Sequence, residues 1–310
     1  MPLQTFLERQ RFCVLDGGLA TELERRGADL HDPLWSARVL VERPELIREV
    51  HLAYLEAGAD IITTSSYQAT FRGLARRGLS LKRAEAVLLA SVRLAQEARA
   101  EFLGSTAADA GRPRPLIAAS IGSYGAFLHD GSEYRGDYGL SGRELTGFHK
   151  DRLLLLAESE ADLLACETVP TLREAEALVD LLERQGKALA WISFTGRDRT
   201  TISDGTRFAE CVAALEGSKR VVATGINCTA PDLAAALLES ARPTATKPFV
   251  VYPNSGERYE AGSGSWQGTP TTDWVDRLVP RYVESGARVI GGCCRTTPET
   301  IRGVVKWLGG

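Results

Sequence analysis

Eight short apolar runs recur along the chain, each followed by a stretch with helical spacing, and this alternation restricts the fold more than any other feature. The runs are FCVLD (12–16), DIITTSS (60–66), LIAASIG (116–122), DLLACET (162–168), ALAWISF (188–194), VVATGIN (221–227), KPFVVYP (247–253) and ARVIGGCC (287–294). They are continuous rather than alternating in polarity, the pattern of parallel strands covered on both faces. Between them, residues 44–58 open on a proline suited to a first helical turn and close on Gly58. Residues 81–103 repeat apolar side chains at helical spacing, and 171–186 begin on Thr171 with Glu174 three positions later, a capping-box pattern. Helices are also predicted over 143–160, 207–216, 231–240, 272–284 and 298–308. Strand and helix repeated eight times build either a closed barrel or a large open sheet. The count and the even period favour the α/β class in its (β/α)8 TIM-barrel form.

No linker divides the sequence, so residues 1–310 read as one barrel domain, a length that such barrels often have. The Gly- and Pro-rich patches at 104–115 and 253–270 read as loops within it, the second as a mobile loop over the site. The net charge is −3 with basic residues scattered, which argues against nucleic acid as a partner. The longest apolar runs, such as LLLLA at 153–157, are far too short to span a membrane. The opening MPLQTFLERQRF has polar and acidic residues where a signal peptide needs an apolar core, so a cytoplasmic location is expected. Six cysteines do not make a disulfide scaffold of a chain this long, and in a reducing compartment clustered thiols point to metal or catalysis.

Barrel active sites lie at the C-terminal ends of the strands, and polar or reactive residues gather there in this chain. The strand ends carry Asp16-Gly17-Gly18, Thr64-Ser65-Ser66-Tyr67, Gly122-Ser123-Tyr124, Cys166-Glu167-Thr168, Asn227-Cys228, Tyr252-Pro253-Asn254 and Gly291-Gly292-Cys293-Cys294. Cys228, Cys293 and Cys294 can converge above the barrel. Three thiolates suit a tetrahedral Zn²⁺ and leave the fourth position to water or substrate, as in catalytic sites. The two glycines ahead of Cys293 are expected to let the backbone turn so that adjacent cysteines face one ion. Cys13 and Cys211 read as packing residues, and Cys166 as lying below the site. Histidines 31, 51, 129 and 149 read as surface or capping residues.

GINCT (225–229) and GGCCRTTP (291–298) resemble the zinc-ligand motifs of the homocysteine S-methyltransferase family, and DGGLATELERRG (16–27) resembles its N-terminal signature. LACETVP (164–170) and VVYPNSGE (250–257) match as well, so the likeness covers nearly the whole chain in the family's order. SYQAT (66–70), HDGSEYRGDYG (129–139) and the length are similar to the short bacterial branch that uses S-methylmethionine. The resemblance implies a (β/α)8 barrel, zinc on Cys228, Cys293 and Cys294, and methyl transfer from a sulfonium donor to the thiol of homocysteine. Such a transfer releases a neutral thioether, so the absence of an obvious catalytic histidine is consistent with it. On this reading Asp16 and Glu167 bind the substrate ammonium. Otherwise Asp16 caps a turn and Glu167 makes a structural pair. Backbone amides around Ser120–Gly122 are expected to hold the substrate carboxylate. Trp35 and Tyr67 are the candidate aromatic faces for the sulfonium, with core packing the alternative for Trp35. S-methylmethionine ranks first as donor and S-adenosylmethionine second, with betaine a further possibility and selenohomocysteine another acceptor. A different class of protein, a zinc-storing or redox-sensing thiol protein, would account for the cysteines but not for Asp16, Glu167, Trp35 and Tyr67 around one mouth.

Overall fold

The computed structural model describes residues 2–29, 36–106, 111–260, 265–268 and 273–309. The apolar runs form parallel strands: β1 (Cys13–Val14), β2 (Ile61–Thr63), β3 (Leu116–Gly122), β4 (Leu163–Val169), β5 (Ala190–Phe194), β6 (Val221–Asn227) and β7 (Phe249–Tyr252). A separate antiparallel hairpin follows, of β8 (Arg258–Glu260) and β9 (Ser265–Gln267), and then the last barrel strand, β10 (Ala287–Ile290). The eight-stranded sheet runs β1-β10-β7-β6-β5-β4-β3-β2. Its two edges meet where Leu15 bridges Ile61, with Asp16 N–H donating to Ile61 O at 3.0 Å and Asp60 N–H to Val14 O at 2.7 Å. This is the (β/α)8 TIM barrel that the strand count predicts.

The period-two alternation of the strands separates two apolar layers. Leu15, Ile61, Leu116, Ala118, Leu163, Ala165, Trp191, Ala223, Val250 and Val289 fill the interior. Residues between them, such as Ile62, Ile117, Leu164, Ile192 and Ile226, face the helices. The opening sequence turns out to be a helix, Pro2–Arg9, whose Leu3 and Phe6 join the interior cluster. That cluster includes Ile61, Leu116 and Leu163, the first residues of their strands, so this helix plugs the end of the barrel opposite the cysteines.

The predicted helices form with shifted ends, for example Pro44–Glu56, Gly142–Ala157 and Leu172–Gln185. Thr171 does cap the last of these by accepting from Glu174 N–H at 3.1 Å, but the Glu174 side chain turns inward instead of completing a capping box. The reciprocal box is made at Ser141 and Glu144. The 253–270 segment differs from the expected mobile loop. Its first part is stitched down, with Pro253 O accepting from Cys293 N–H at 2.8 Å, Asn254 N–H donating to Thr229 O at 3.0 Å and Ser255 N–H to Cys294 O at 3.1 Å.

Gly225 on β6 lies where the backbones come closest, since a Cβ there would stand 1.7 Å from Val250 O. Gly225→Ala must separate β6 from β7. The expected cost is at least about 3 kcal/mol, at the upper end of overpacking effects, read as a fall in the urea midpoint.

Candidate metal centre and active site

The cysteines meet through two different backbone devices. After β6 ends at Asn227, Cys228 takes a left-handed conformation with φ 49°, its N–H donating to Tyr252 O at 3.2 Å. Cys293 and Cys294 lie beyond β10, in the loop that follows Ile290. Gly291 and Gly292 do not make the turn through positive φ; Arg295, with φ 65°, does. The glycines are needed for close approach, since a Cβ on Gly291 would stand 2.6 Å from Leu15 O and one on Gly292 2.2 Å from Thr296 Oγ1. Thr296 Oγ1 donates back to Cys293 O at 2.6 Å, and Gly292 N–H to Asp16 O at 3.0 Å.

The three Sγ atoms all lie within 4.8 Å of one another, and those of Cys228 and Cys294 are 3.6 Å apart. That is too long for a disulfide, whose sulfurs stand about 2.05 Å apart. Sulfurs about 2.3 Å from a zinc ion in a tetrahedron are about 3.8 Å from each other, so the donor set fits a soft tetrahedral cation with one position left over. Hydrogen bonds from Cys293 and Cys294 hold the Cys228 thiol well below its ordinary range, and the bond to Cys228 pushes the other two up. Tyr134 adds its hydroxyl 3.2 Å from Cys228 Sγ.

Two carboxylates lie below the cysteines. Asp16, directly after β1, accepts from Thr63 N–H at 2.8 Å and Thr63 Oγ1 at 3.0 Å. Glu167 on β4 accepts from the Ser120 hydroxyl, and the Tyr252 hydroxyl nearby favours its charged form. Tyr252 is itself held by Trp191 Nε1 at 3.0 Å and Ser193 Oγ at 2.6 Å. Burial raises both acids: Asp16 well above its ordinary range, with the Glu167 charge adding to it, and Glu167 to about 7. Among the described residues neither forms an ion pair with Arg or Lys. Two buried acids without a cation are unfavourable alone, and the arrangement suits a ligand that brings a positive charge.

The sequence profile of homocysteine S-methyltransferases matches residues 13–308. The chain belongs to the homocysteine S-methyltransferase family. It is 48% identical to the homocysteine S-methyltransferase YbgG of Bacillus subtilis, over 99% of this chain and 97% of that one. It is 50% identical to the homocysteine S-methyltransferase of Escherichia coli, over 97% and 96%. The crystal structure of the Escherichia coli homocysteine methyltransferase MmuM in its metallated form superposes with a TM-score of 0.89 at 46% identity, covering 99% of this chain and all of that one (100%). The protein is accordingly an enzyme, a methyltransferase of this family.

The remaining expected site residues of this homocysteine S-methyltransferase fall into place unevenly. Tyr67 is half-buried beside the cysteines, close enough for the Cys228 and Glu133 charges to push its phenol up on top of the effect of burial. Trp35 and His31 lie outside the described residues. The Ser120 and Gly122 amides are already engaged, with Ser120 N–H on Thr64 Oγ1 at 3.0 Å and Gly122 N–H on Tyr67 O at 3.3 Å. The anion cradle expected there is therefore not free, and what Ser120 offers the site is its hydroxyl, on Glu167. Cys13 and Cys211 are buried packing residues as expected, whereas Cys166 faces the helix layer rather than the site.

The histidines correct the sequence reading further. His129 does end a helix, at φ 55°, but His51 and His149 are fully buried. His149 Nε2 meets Glu174 Oε1 at 2.7 Å, Tyr124 N–H donates to the same oxygen at 2.6 Å, and Tyr138 donates to Oε2. Arg152 continues this network to the carbonyls of Tyr67, Ala69 and Gly122. It ties the loops after β2 and β3 to the helices behind them. The sequence singles out neither Tyr134 nor Thr63, and marks Tyr252 only as a polar residue at a strand end. Tyr134 lay in a segment noted only for its likeness, while Thr63 and Tyr252 stood at strand ends where their hydroxyls were legible as polar groups facing the mouth. The pair Asn227 and Thr168, joined by two hydrogen bonds of 2.8 Å, likewise fixes the end of β4 to that of β6.

Proposed function

We propose that the protein transfers a methyl group from S-methylmethionine to the thiol of homocysteine, giving methionine, with zinc on Cys228, Cys293 and Cys294. The observation that carries this reading is the placement of three convergent thiols above two buried carboxylates that have no cation among the described residues. A thiol amino acid offers both complements, its sulfur to the metal centre and its ammonium to Asp16 and Glu167. That relatives are called homocysteine methyltransferases, and that one was crystallised in a metallated form, supports the same conclusion.

When bound, the zinc ion would keep the substrate thiol deprotonated at neutral pH, with three thiolates leaving it electron-rich. The chain's own residues supply position. Ser120 and Tyr252 aim Glu167, Thr63 aims Asp16, and together they hold the ammonium so that the sulfur is presented at the cysteine cluster. Tyr67, with Trp35 proposed beside it, offers aromatic faces to the donor's sulfonium at roughly 0.5–2 kcal/mol per ring. The sulfur attacks the methyl carbon in line, a new carbon–sulfur bond forms as the donor's breaks, and a neutral thioether leaves with the electron pair. No general acid is required. Among the described residues no helix is long and apolar enough to cross a membrane. A cytoplasmic location, where thiols stay reduced, would suit the chemistry.

S-methylmethionine is ranked above S-adenosylmethionine because the sequence has no Gly-rich nucleotide fingerprint to receive the adenosyl group. In a competition with both donors at equal concentration, S-methylmethionine is expected to give the higher kcat/KM, with zinc content measured in parallel. A preference for S-adenosylmethionine would overturn the ranking alone. Transfer from neither to homocysteine would overturn the function.

A further inference from the structure

The loop between β3 and helix Gly142–Ala157 holds a further buried carboxylate near the thiols, which the reaction as derived does not use. Glu133 sits in the short turn Ser132–Tyr134 and is only 9% exposed. Its backbone is fixed, with Thr195 Oγ1 donating to Glu133 O at 2.8 Å. Gly125 passes so closely that a Cβ there would meet Glu133 N at 2.4 Å. The next residue, Tyr134, reaches Cys228 Sγ, which puts this turn at the edge of the thiol cluster. The Glu133 charge bears on the Cys294 thiol and the Tyr67 phenol, and that of Cys228 bears on Glu133 in return.

The side chain is incompletely satisfied. Its Oε2 is buried and has no hydrogen-bond partner among the described residues. The nearby cation, Arg135, is engaged elsewhere, through Nε with Asp137, Nη1 with Asp130 O and Nη2 with Ser132 Oγ. Burial pushes Glu133 up to about 7, with Cys228 and Asp130 adding to the effect and Arg135 opposing it. A buried acceptor among thiols and other acids is relieved either by taking up a proton or by a ligand that brings both positive charge and hydrogens to donate. A sulfonium has the charge but no hydrogen on sulfur. An ammonium has both.

Two ammonium groups enter this reaction. That of homocysteine is taken by Asp16 and Glu167, so the second belongs to the donor. We propose that Glu133 binds the ammonium of the methyl donor, so that the enzyme selects sulfonium donors with an amino-acid end. This rests on the sulfonium-donor reading above and adds to it a determinant of specificity. Tyr67 then faces the sulfonium while Glu133 holds the far end, which orients the methyl toward the acceptor sulfur. Donors without N–H, such as betaine, or without an amine, such as dimethylsulfoniobutanoate (S-methylmethionine lacking its amino group), lose that anchor.

The test compares S-methylmethionine with dimethylsulfoniobutanoate in the zinc-loaded wild type and in Glu133→Gln, with homocysteine as acceptor. The wild type is expected to favour S-methylmethionine at least about tenfold in kcat/KM, as a charge-assisted hydrogen bond implies. Glu133→Gln is expected to raise the KM for S-methylmethionine about tenfold or more and to erase most of the preference. The KM for homocysteine and the zinc content should hold. Equal losses on both donors, an effect confined to the KM for homocysteine, or a preference undiminished in the variant would each overturn the proposal while leaving the sulfonium reading in place. A wild type that uses the two donors equally overturns it without any variant. Transfer from neither donor removes the sulfonium reading and this inference together.

Discussion

Replacing Cys228, Cys293 or Cys294 by serine is expected to strip the protein of zinc and reduce turnover by more than about 100-fold, since even partners outside the ligand shell commonly contribute 10–100-fold to metal sites. The three sulfurs lie within 4.8 Å of one another, so each loss leaves a two-thiol site with poor affinity. The barrel should survive. Its core is two apolar layers that contain Cys228 and Cys294 in neither, and Cys293 only at the margin. Metal analysis, activity and far-ultraviolet circular dichroism on the same preparation check the three parts. A Cys294→Ser protein with full zinc and full activity would refute the assignment.

Glu167→Gln should raise the KM for homocysteine roughly tenfold to a hundredfold, because a charge-assisted hydrogen bond contributes about 1.5–3 kcal/mol. The pH profile carries the same information. Burial sets Glu167 at about 7. Below that pH the acid is neutral and cannot pair with an ammonium, so the KM should climb as pH falls through about 7, and Glu167→Gln should flatten the climb. Stability must move the other way. The folded pKa lies above the unfolded one, so what this group contributes to stability is present at low pH and lost as pH rises from its ordinary range toward 7. At pH 8 the Gln variant should therefore melt no lower than the wild type. A variant that melts well below it, with both substrates affected alike, would mark Glu167 as structural.

The barrel and the cysteine cluster were legible in the sequence because each depends on a local pattern: continuous apolar runs for buried parallel strands, and thiols just past two of them. What was not legible depends on distances between strands. Gly291 and Gly292 read as a flexible turn, yet they serve a close approach to Leu15 O and Thr296 Oγ1 that no spacing reveals. His149 and Glu174 lie on different helices 25 residues apart, and only packing makes them a buried pair. Ser120 was singled out for its backbone, but the parallel register that aligns Gly122 with Glu167 makes its hydroxyl the relevant group. The 253–270 segment looks mobile by composition, and its Pro253 and Ser255 are instead held by the cysteine loop.

That cysteine loop also packs against the end of β1. Gly292 N–H rests on Asp16 O, Gly18 N–H on Thr296 Oγ1 and Arg295 N–H on Thr21 Oγ1, so the turn proposed to hold the metal and the acid proposed to bind the ammonium share one hydrogen-bonded seam. On the proposed function, a shift that zinc imposed on Cys293 and Cys294 would be felt at Asp16, and one that an amino acid imposed on Asp16 would be felt at the cysteines. The two ligands would then be thermodynamically linked even without a bond between them. An amino acid of the same shape but lacking sulfur should tighten or loosen zinc binding by the same factor by which zinc changes its own affinity, because the coupling free energy of two sites is reciprocal.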